Sequence, residues 1–232
     1  MWLGTSLLSA QVDEGAGDEH SAHDTEMEHH HEHTEGATES MTPHHQHMGP
    51  HMRWTALRPA HPEDAKRADE IVQLLRESLA KYKDYRAALA DGYEWPPHLK
   101  VPQPHYHFTS KKRGFQAAFR FDPAAPTSLL YKKTANGYEL EGAMYTAPKR
   151  MSEDDLNERV PLSVAQWHAH VNICLPPQGS QRRGNRKKFG FQGSIATEQE
   201  CQQAGGQFHP QMYGWMIHVY PFEHSPEKIW TH

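Results

Sequence analysis

The segment Val164-Ala165-Gln166-Trp167-His168-Ala169-His170-Val171-Asn172-Ile173 decides the fold of this chain, because residues of two kinds alternate along it. Successive side chains of a β-strand point to opposite faces of the sheet. The odd-numbered residues are apolar and are expected in the core. The even-numbered residues form a second, mostly polar face, which is stable only where something satisfies its polar groups: Val164, Gln166, His168, His170 and Asn172.

Two further segments carry histidines among aromatic and β-branched residues, a composition typical of strands. They are Pro-His-Tyr-His-Phe at 104–108 and Gly-Trp-Met-Ile-His-Val-Tyr at 214–220. In a strand, His105 and His107 point to the same face, and His218 shares its face with Met216. Neutral imidazole is the commonest metal ligand in proteins. The three segments therefore predict a histidine-lined metal site on a β scaffold.

Six residues are the candidate ligands of this metal, and one divalent transition ion, copper or zinc, is the expected cofactor. Glu141 lies on a predicted hairpin strand, facing the same way as Tyr145 and opposite to Met144, and its carboxylate would complete a set of histidines and one acid. The predicted ligands are His105, His107, Glu141, His168, His170 and His218. The alternative is that these histidines bond to backbone groups or line a wet cleft.

A long amphipathic helix is predicted before the strands. Pro62-Glu63-Asp64 is typical of a helix start, and apolar residues recur at helical spacing from residue 71 to residue 89. Asp91-Gly92 is typical of a helix end.

After residue 95 the pattern changes to short β-like runs. Residues 129–133 and 138–145 form the clearest hairpin, with Asn136-Gly137 predicting a type I′ turn. A short helix follows Thr197, and a last strand is expected over 211–220. We expect an α+β fold in which the N-terminal amphipathic helix packs on a mainly antiparallel sheet or barrel.

The N-terminal region differs from the rest in composition. Residues 1–52 contain ten Asp or Glu, no Lys or Arg, and ten of the 20 histidines. Few apolar residues follow Leu8 there, so the region cannot bury enough surface to offset its chain entropy. We expect an apolar signal-peptide remnant over 1–10, a disordered tail over 11–58, one α+β domain over 59–224 and a C-terminal tail over 225–232.

The tail also carries metal-binding chemistry. The tracts 28–33 and 43–52 mix imidazole, carboxylate and thioether groups, which bind soft or borderline divalent metals, and the methionines favour copper. The signal-like start predicts a secreted or periplasmic protein. In that case Cys174 and Cys201 would form one disulfide, whereas in the cytosol they would be ordinary thiols.

Two partner classes are not expected. The chain has no run of about 18 apolar residues, so no transmembrane span is predicted. One basic cluster lies over 182–188, which we interpret as a solvated loop and not as a nucleic-acid site, because the cluster stands alone and the tail is acidic.

The segments 85–93 (YRAALADGY) and 121–131 (FDPAAPTSLLY) carry a resemblance over residues 80–222. They are similar to a broad family of uncharacterised secreted bacterial domains with an Asp-Pro-x-x-Pro-x-x-Leu-Leu-Tyr hairpin and paired-histidine strands. The resemblance implies export and a shared β scaffold, with His105, Glu141, His168 and His170 at the matching positions. A distant similarity to cupins also exists, but the Glu that follows their His-x-His is absent from residues 109–113.

Three functions remain open on this sequence. The leading hypothesis is an exported metal-binding protein that handles copper or zinc, with one ion in the folded site and the tail raising its local concentration. The second is a metal-dependent enzyme with a three-His, one-Glu site and an open position for water or substrate. The third is a non-catalytic binding or assembly module whose histidines are structural or pH-responsive.

Overall fold

The computed structural model describes residues 49–96, 103–177, 179 and 187–231. The strands are β1 Met52–Trp54, β2 Tyr106–Thr109, β3 Ser128–Thr134, β4 Gly137–Ala147, β5 His168–Leu175, β6 Gln207–Gln211 and β7 Trp215–Val219. The helices are α1 Asp64–Leu79, a 3-10 turn Ala80–Lys83, α2 Tyr85–Ala90, α3 Lys111–Ala117, α4 Glu153–Arg159, α5 Glu198–Gln203 and α6 Pro226–Ile229. The predicted α+β class is confirmed.

The seven strands form one antiparallel sheet in the order β1-β5-β7-β4-β3-β2, with β6 pairing β5. The sheet is open, so the barrel alternative is not realised. Strand β5 is the junction of this sheet, because β1, β6 and β7 all pair with it. The segment with the clearest alternation thus positions three other strands.

The two faces of the sheet differ in character. The main hydrophobic cluster contains Trp167, which directly precedes β5, and Ala169 and Val171 of β5, together with buried residues of β2, β3, β4, β7 and α1. The opposite face carries residues that pair across the strands: His107 with Leu130, Met144 with His218, and Met216 with His168. We call this second surface the histidine face, defined by His107, Leu130, Met144, His168, His170, Met216 and His218.

The predicted long helix is interrupted. Asp84 has an extended backbone (φ −88°, ψ 109°), and its Oδ1 accepts a hydrogen bond from the Arg86 N–H at 3.0 Å. An aspartate that caps a helix N-terminus in this way competes with continuation of the preceding helix. The apolar stripe is therefore divided between α1 and α2.

Two strand predictions need correction. The hairpin of β3 and β4 is present, but its last pair is Thr134 with Gly137. The type I′ turn was wrong, since Asn172 is the one non-glycine residue with positive φ in the described part of the chain. Of the last strand expected over 211–220, only Trp215–Val219 is strand β7, while Gln211 is the last residue of the separate strand β6. Gly214 directly precedes β7, and a Cβ there would overlap the Ala147 carbonyl oxygen.

Residues on both sides of the predicted domain limits bond to the sheet. β1 lies within the predicted tail, and the His51 ring nitrogens lie 3.0 Å from the Asn172 carbonyl oxygen and 2.7 Å from that of Gly193. At the other end, Tyr220 donates its N–H to the Ile229 carbonyl at 2.7 Å. The domain limits of 59 and 224 stay a prediction.

Cys174 and Cys201 form the disulfide expected for an exported chain, with a Cα–Cα distance of 5.6 Å. They pack with Phe189 and Ile195 in a second, small hydrophobic cluster. Among the described residues, no helix is long and apolar enough to cross a membrane. The predicted signal segment, most of the tail and the arginines of the basic cluster lie outside the described residues.

Replacing both cysteines, Cys174→Ala/Cys201→Ala, is expected to lower the free energy of unfolding by about 3–4 kcal/mol, because the disulfide closes a loop of 27 residues. Guanidinium denaturation of the oxidised protein and the variant measures the difference. Wild type with its disulfide reduced should unfold at the same guanidinium concentration as the variant. Equal midpoints for oxidised protein and variant would contradict the prediction.

Candidate functional site

The site begins with the two histidines of β5. His168 is the first residue of that strand and pairs with Trp54 of β1 and with Met216 of β7. His170 pairs with Met52. Both imidazoles are buried, with 1% exposure each. The predicted sharing of one face is therefore realised for this pair, although the strand begins four residues later than the alternation from Val164 indicated.

Four imidazoles from three strands lie one beside the next in space, and we call them the histidine row. The ring centres of His107 and His218 are 5.6 Å apart, those of His218 and His168 are 5.4 Å apart, and those of His168 and His170 are 5.8 Å apart. The row crosses from β2 to β5 by way of β7. His168 and His218, 50 positions apart, lie on paired strands, whereas β3 and β4 stand between the strands of His107 and His218 in the sheet.

These spacings are near those of imidazoles that share an ion. At a metal–nitrogen distance of about 2.0–2.1 Å, two imidazoles on one tetrahedral ion have ring centres roughly 5 Å apart. The ring-centre distances of neighbouring members, 5.4–5.8 Å, exceed that value by less than about 1 Å. Within residues 49–96, 103–177, 179 and 187–231, however, no group of three or more His, Cys, Asp or Glu is arranged to hold a metal ion.

The other two predicted ligands form a pair of their own. His105 Nδ1 lies 2.7 Å from Glu141 Oε2, and the His105 ring lies 5.5 Å from that of Tyr220. The pairing of β3 with β4 passes from Leu140 to Gly142, so Glu141 is the extra residue of a β-bulge. A bulge re-aims the side chain that it carries.

This bulge corrects the predicted alternation on β4. Leu140 belongs to the main core with Tyr145, whereas Met144 lies on the histidine face. Strict alternation would have put Leu140 and Met144 on the same face. Gly142, directly after the bulge, is needed because a Cβ there would overlap the Val219 carbonyl oxygen.

His107 is held in its neutral form. Burial lowers the pKa of His107 to about 4, and electrostatic repulsion between the His107 and His105 imidazoles acts in the same direction. Although the whole side chain is only partly buried, its Nε2 atom is inaccessible and has no hydrogen-bond partner among the described residues. A neutral imidazole with a buried, unbonded nitrogen is the form that binds metals, so this atom is suited to a ligand's role.

Two methionines complete the histidine face. Met144 lies directly across from His218, and Met216 lies directly across from His168. Their side chains are 7% and 5% exposed and pack with Leu130 in a small cluster separate from the main core. The sequence indicated Met216 through its spacing from His218, but it carried no sign of Met144, whose position depends on the register of β4 with β7.

A cleft of about 350 Å³ lies at the two middle members of the row, where β5 and β7 pair at a single position. Trp54, His168, His218, Glu227 and Trp230 are among its lining residues. The Trp54 ring lies 5.2 Å from that of His168. Both histidines therefore belong to the wall of the cleft, although they are only 1% and 5% exposed.

Comparisons with known proteins add no assignment: no family model, no curated protein and no solved structure matches this chain. The site is therefore interpreted from its own geometry. The structure brings His107, His168, His170 and His218 into one row, and it joins His105 to Glu141 beside Tyr220.

The low pKa of His107 predicts loss of stability in acid. The unfolded imidazole titrates near pH 6.5, so between about pH 6.5 and pH 4 the unfolded chain binds a proton that the folded chain does not. When the pH falls from 7 to 5, the free energy of unfolding of metal-free wild type is expected to fall by about 2 kcal/mol more than that of His107→Gln. Urea denaturation at both pH values measures this.

The matched control is His224→Gln, which removes an exposed imidazole. Its free energy of unfolding should change between the two pH values by as much as that of the wild type. If His107→Gln also followed the wild type, the neutral state of buried His107 would be refuted.

Proposed function

We propose that this protein binds one transition-metal ion on the histidine face and handles copper or zinc without catalysing a reaction. The observation that carries the proposal is the histidine row, in which successive imidazole centres lie 5.4–5.8 Å apart. Three of these imidazoles are buried, and the Nε2 atom of the fourth, His107, is inaccessible and has no hydrogen-bond partner among the described residues. Burying a polar group costs free energy unless it is bonded, and a bound ion would supply a bond to this atom.

The charge state of the row supports the same function. Metal binding requires imidazole in its deprotonated form, and an imidazolium must first release a proton. Burial already keeps His107 neutral, with a pKa of about 4. The ion would therefore displace no proton from this side chain at neutral pH.

The cleft beside His168 and His218 supports exchange of the ion with solvent. An ion that is stored or transferred needs a path to the buried ligands, and both histidines are among the residues that line the cleft of about 350 Å³. The histidine-rich, acidic tail would raise the local metal concentration near the domain, because tracts of imidazole and carboxylate bind such ions without a fixed fold.

We propose export as the setting of this function. The Cys174–Cys201 disulfide is of the kind that persists in oxidising compartments, and the signal-like start of the chain agrees with it. Metal handling outside the cytosol also fits a chain that carries many imidazoles and no free cysteine among its described residues.

A metal-dependent enzyme is the second candidate, and one observation favours it. The cleft is large enough for a small substrate, and His168, His218 and Glu227 are among the residues that line it. The predicted three-His, one-Glu set is not its basis, because Glu141 is paired with His105. A ligand position on the bound ion that exchanges with solvent would favour this candidate.

The variant His168→Ala/His218→Ala is expected to weaken the tightest metal site of the full chain by at least about 100-fold, since both members of the closest pair in the row are removed. Competition with chelators for copper(II) and zinc, at less than one equivalent of metal, measures the affinity. The matched control, His61→Ala/His224→Ala, removes two exposed imidazoles and should bind as the wild type does.

Circular dichroism of the variants separates loss of the site from loss of the fold, and His168→Gln offers a milder change. A folded variant with unchanged affinity would exclude the histidine row as the tight site.

Deleting residues 2–48 is expected to lower the total metal bound while leaving one tight equivalent per chain. The deletion ends at residue 48 because His51 contacts the carbonyl oxygens of Asn172 and Gly193 and β1 begins at Met52. Elemental analysis of protein purified without metal-affinity resin measures the stoichiometry. If the shortened chain bound no metal, the folded site would be refuted and the tail would be the sole ligand source.

A further inference from the structure

We propose that the ion on the histidine face is copper in its reduced state, Cu(I), held by Met144, Met216, His168 and His218. This inference rests on the proposed function and specifies its metal. It depends on the two methionines, which the six predicted ligands did not include. The four residues belong to three neighbouring strands, β4, β7 and β5, so their relative positions are set by the sheet.

The register of these strands makes the set compact. Met144 and His218 are directly opposed across β4 and β7, and Met216 and His168 are directly opposed across β7 and β5. Directly opposed residues on antiparallel strands have Cβ atoms about 4.5–5.5 Å apart. The rings of His168 and His218 join the two pairs, with centres 5.4 Å apart. Each imidazole thus has a thioether as its cross-strand neighbour.

The two thioethers are shielded from water and lie on the face where the ion would bind. Met144 and Met216 are 7% and 5% exposed, and they pack together with Leu130 on the histidine face, apart from the main core. Two leucines would fill such a cluster equally well by volume. Flexible thioethers can turn their sulfur towards an ion at little cost, because methionine has three rotatable bonds.

The donor types select the metal. Soft thioether sulfur favours Cu(I), whereas imidazole accepts copper, zinc and nickel alike, and zinc sites use thiolate, imidazole and carboxylate. Glu141, the predicted acidic ligand, is bonded to His105 beside Tyr220. Two thioethers with two imidazoles, buried from water, form a donor set that suits Cu(I) better than Zn(II).

The test compares Cu(I) and Zn(II) affinities of the full chain and of Met144→Leu/Met216→Leu. Bicinchoninate competes for Cu(I) under anaerobic ascorbate, which spares the disulfide, and a zinc chelator competes for Zn(II), each at less than one equivalent of metal. We expect the variant to bind Cu(I) at least about 100-fold more weakly, beyond the loss of about 10–100-fold typical of outer-shell changes, and Zn(II) within about threefold of wild type. Met151→Leu, a partly buried methionine beside the main core, should change neither affinity.

Other outcomes overturn the inference and separate it from the proposed function. Unchanged Cu(I) binding in Met144→Leu/Met216→Leu, with loss in His168→Ala/His218→Ala, would refute the thioether ligands and keep the metal site. Equal weakening of both metals would assign the methionines a packing role and refute Cu(I) selection. Unchanged binding in both variants would refute the inference and the proposed function together.

Discussion

The alternation of β5 is the constraint on which the rest of the structure depends. Trp167, Ala169 and Val171 belong to the main hydrophobic cluster, and His168 and His170 lie on the other side. Because β1, β6 and β7 all pair with this strand, a slip of one residue would turn its apolar set away from the core and displace three partners at once. The burial of Trp167 therefore also fixes where the imidazoles point.

This arrangement gives the molecule a sheet with two buried faces of different chemistry. One face is conventional core, in which apolar side chains leave water. The other combines imidazoles with thioethers, and its cost in lost hydration is what a bound ion would offset. The neutral state of His107 follows from the same burial, so this face is expected to lose stability when the pH falls.

Irregularities in the strands decide which residues join that face. The bulge at Glu141 reverses the alternation of β4, so Leu140 enters the core and Met144 lies opposite His218. Asn172, with a φ of 56°, lies within β5 just after the two histidines, between the residues that pair with β1 and the last three that pair with β6. A single strand interruption therefore determines whether a methionine or an apolar core residue faces the imidazoles.

The sequence alone determined the α+β class, the hairpin of β3 and β4, and the common face of His168 and His170, because hydrophobic periodicity is a local property of the chain. It did not determine the interrupted helix at Asp84, the inclusion of β1 in the sheet, or the meeting of Met144 with His218. The interrupted helix depends on the side-chain cap at Asp84. The other two features depend on strand register, which involves residues far apart in sequence. Only the tertiary structure decided that His107, His218, His168 and His170 form one row, since these residues belong to three strands and β3 and β4 lie between β2 and β7 in the sheet.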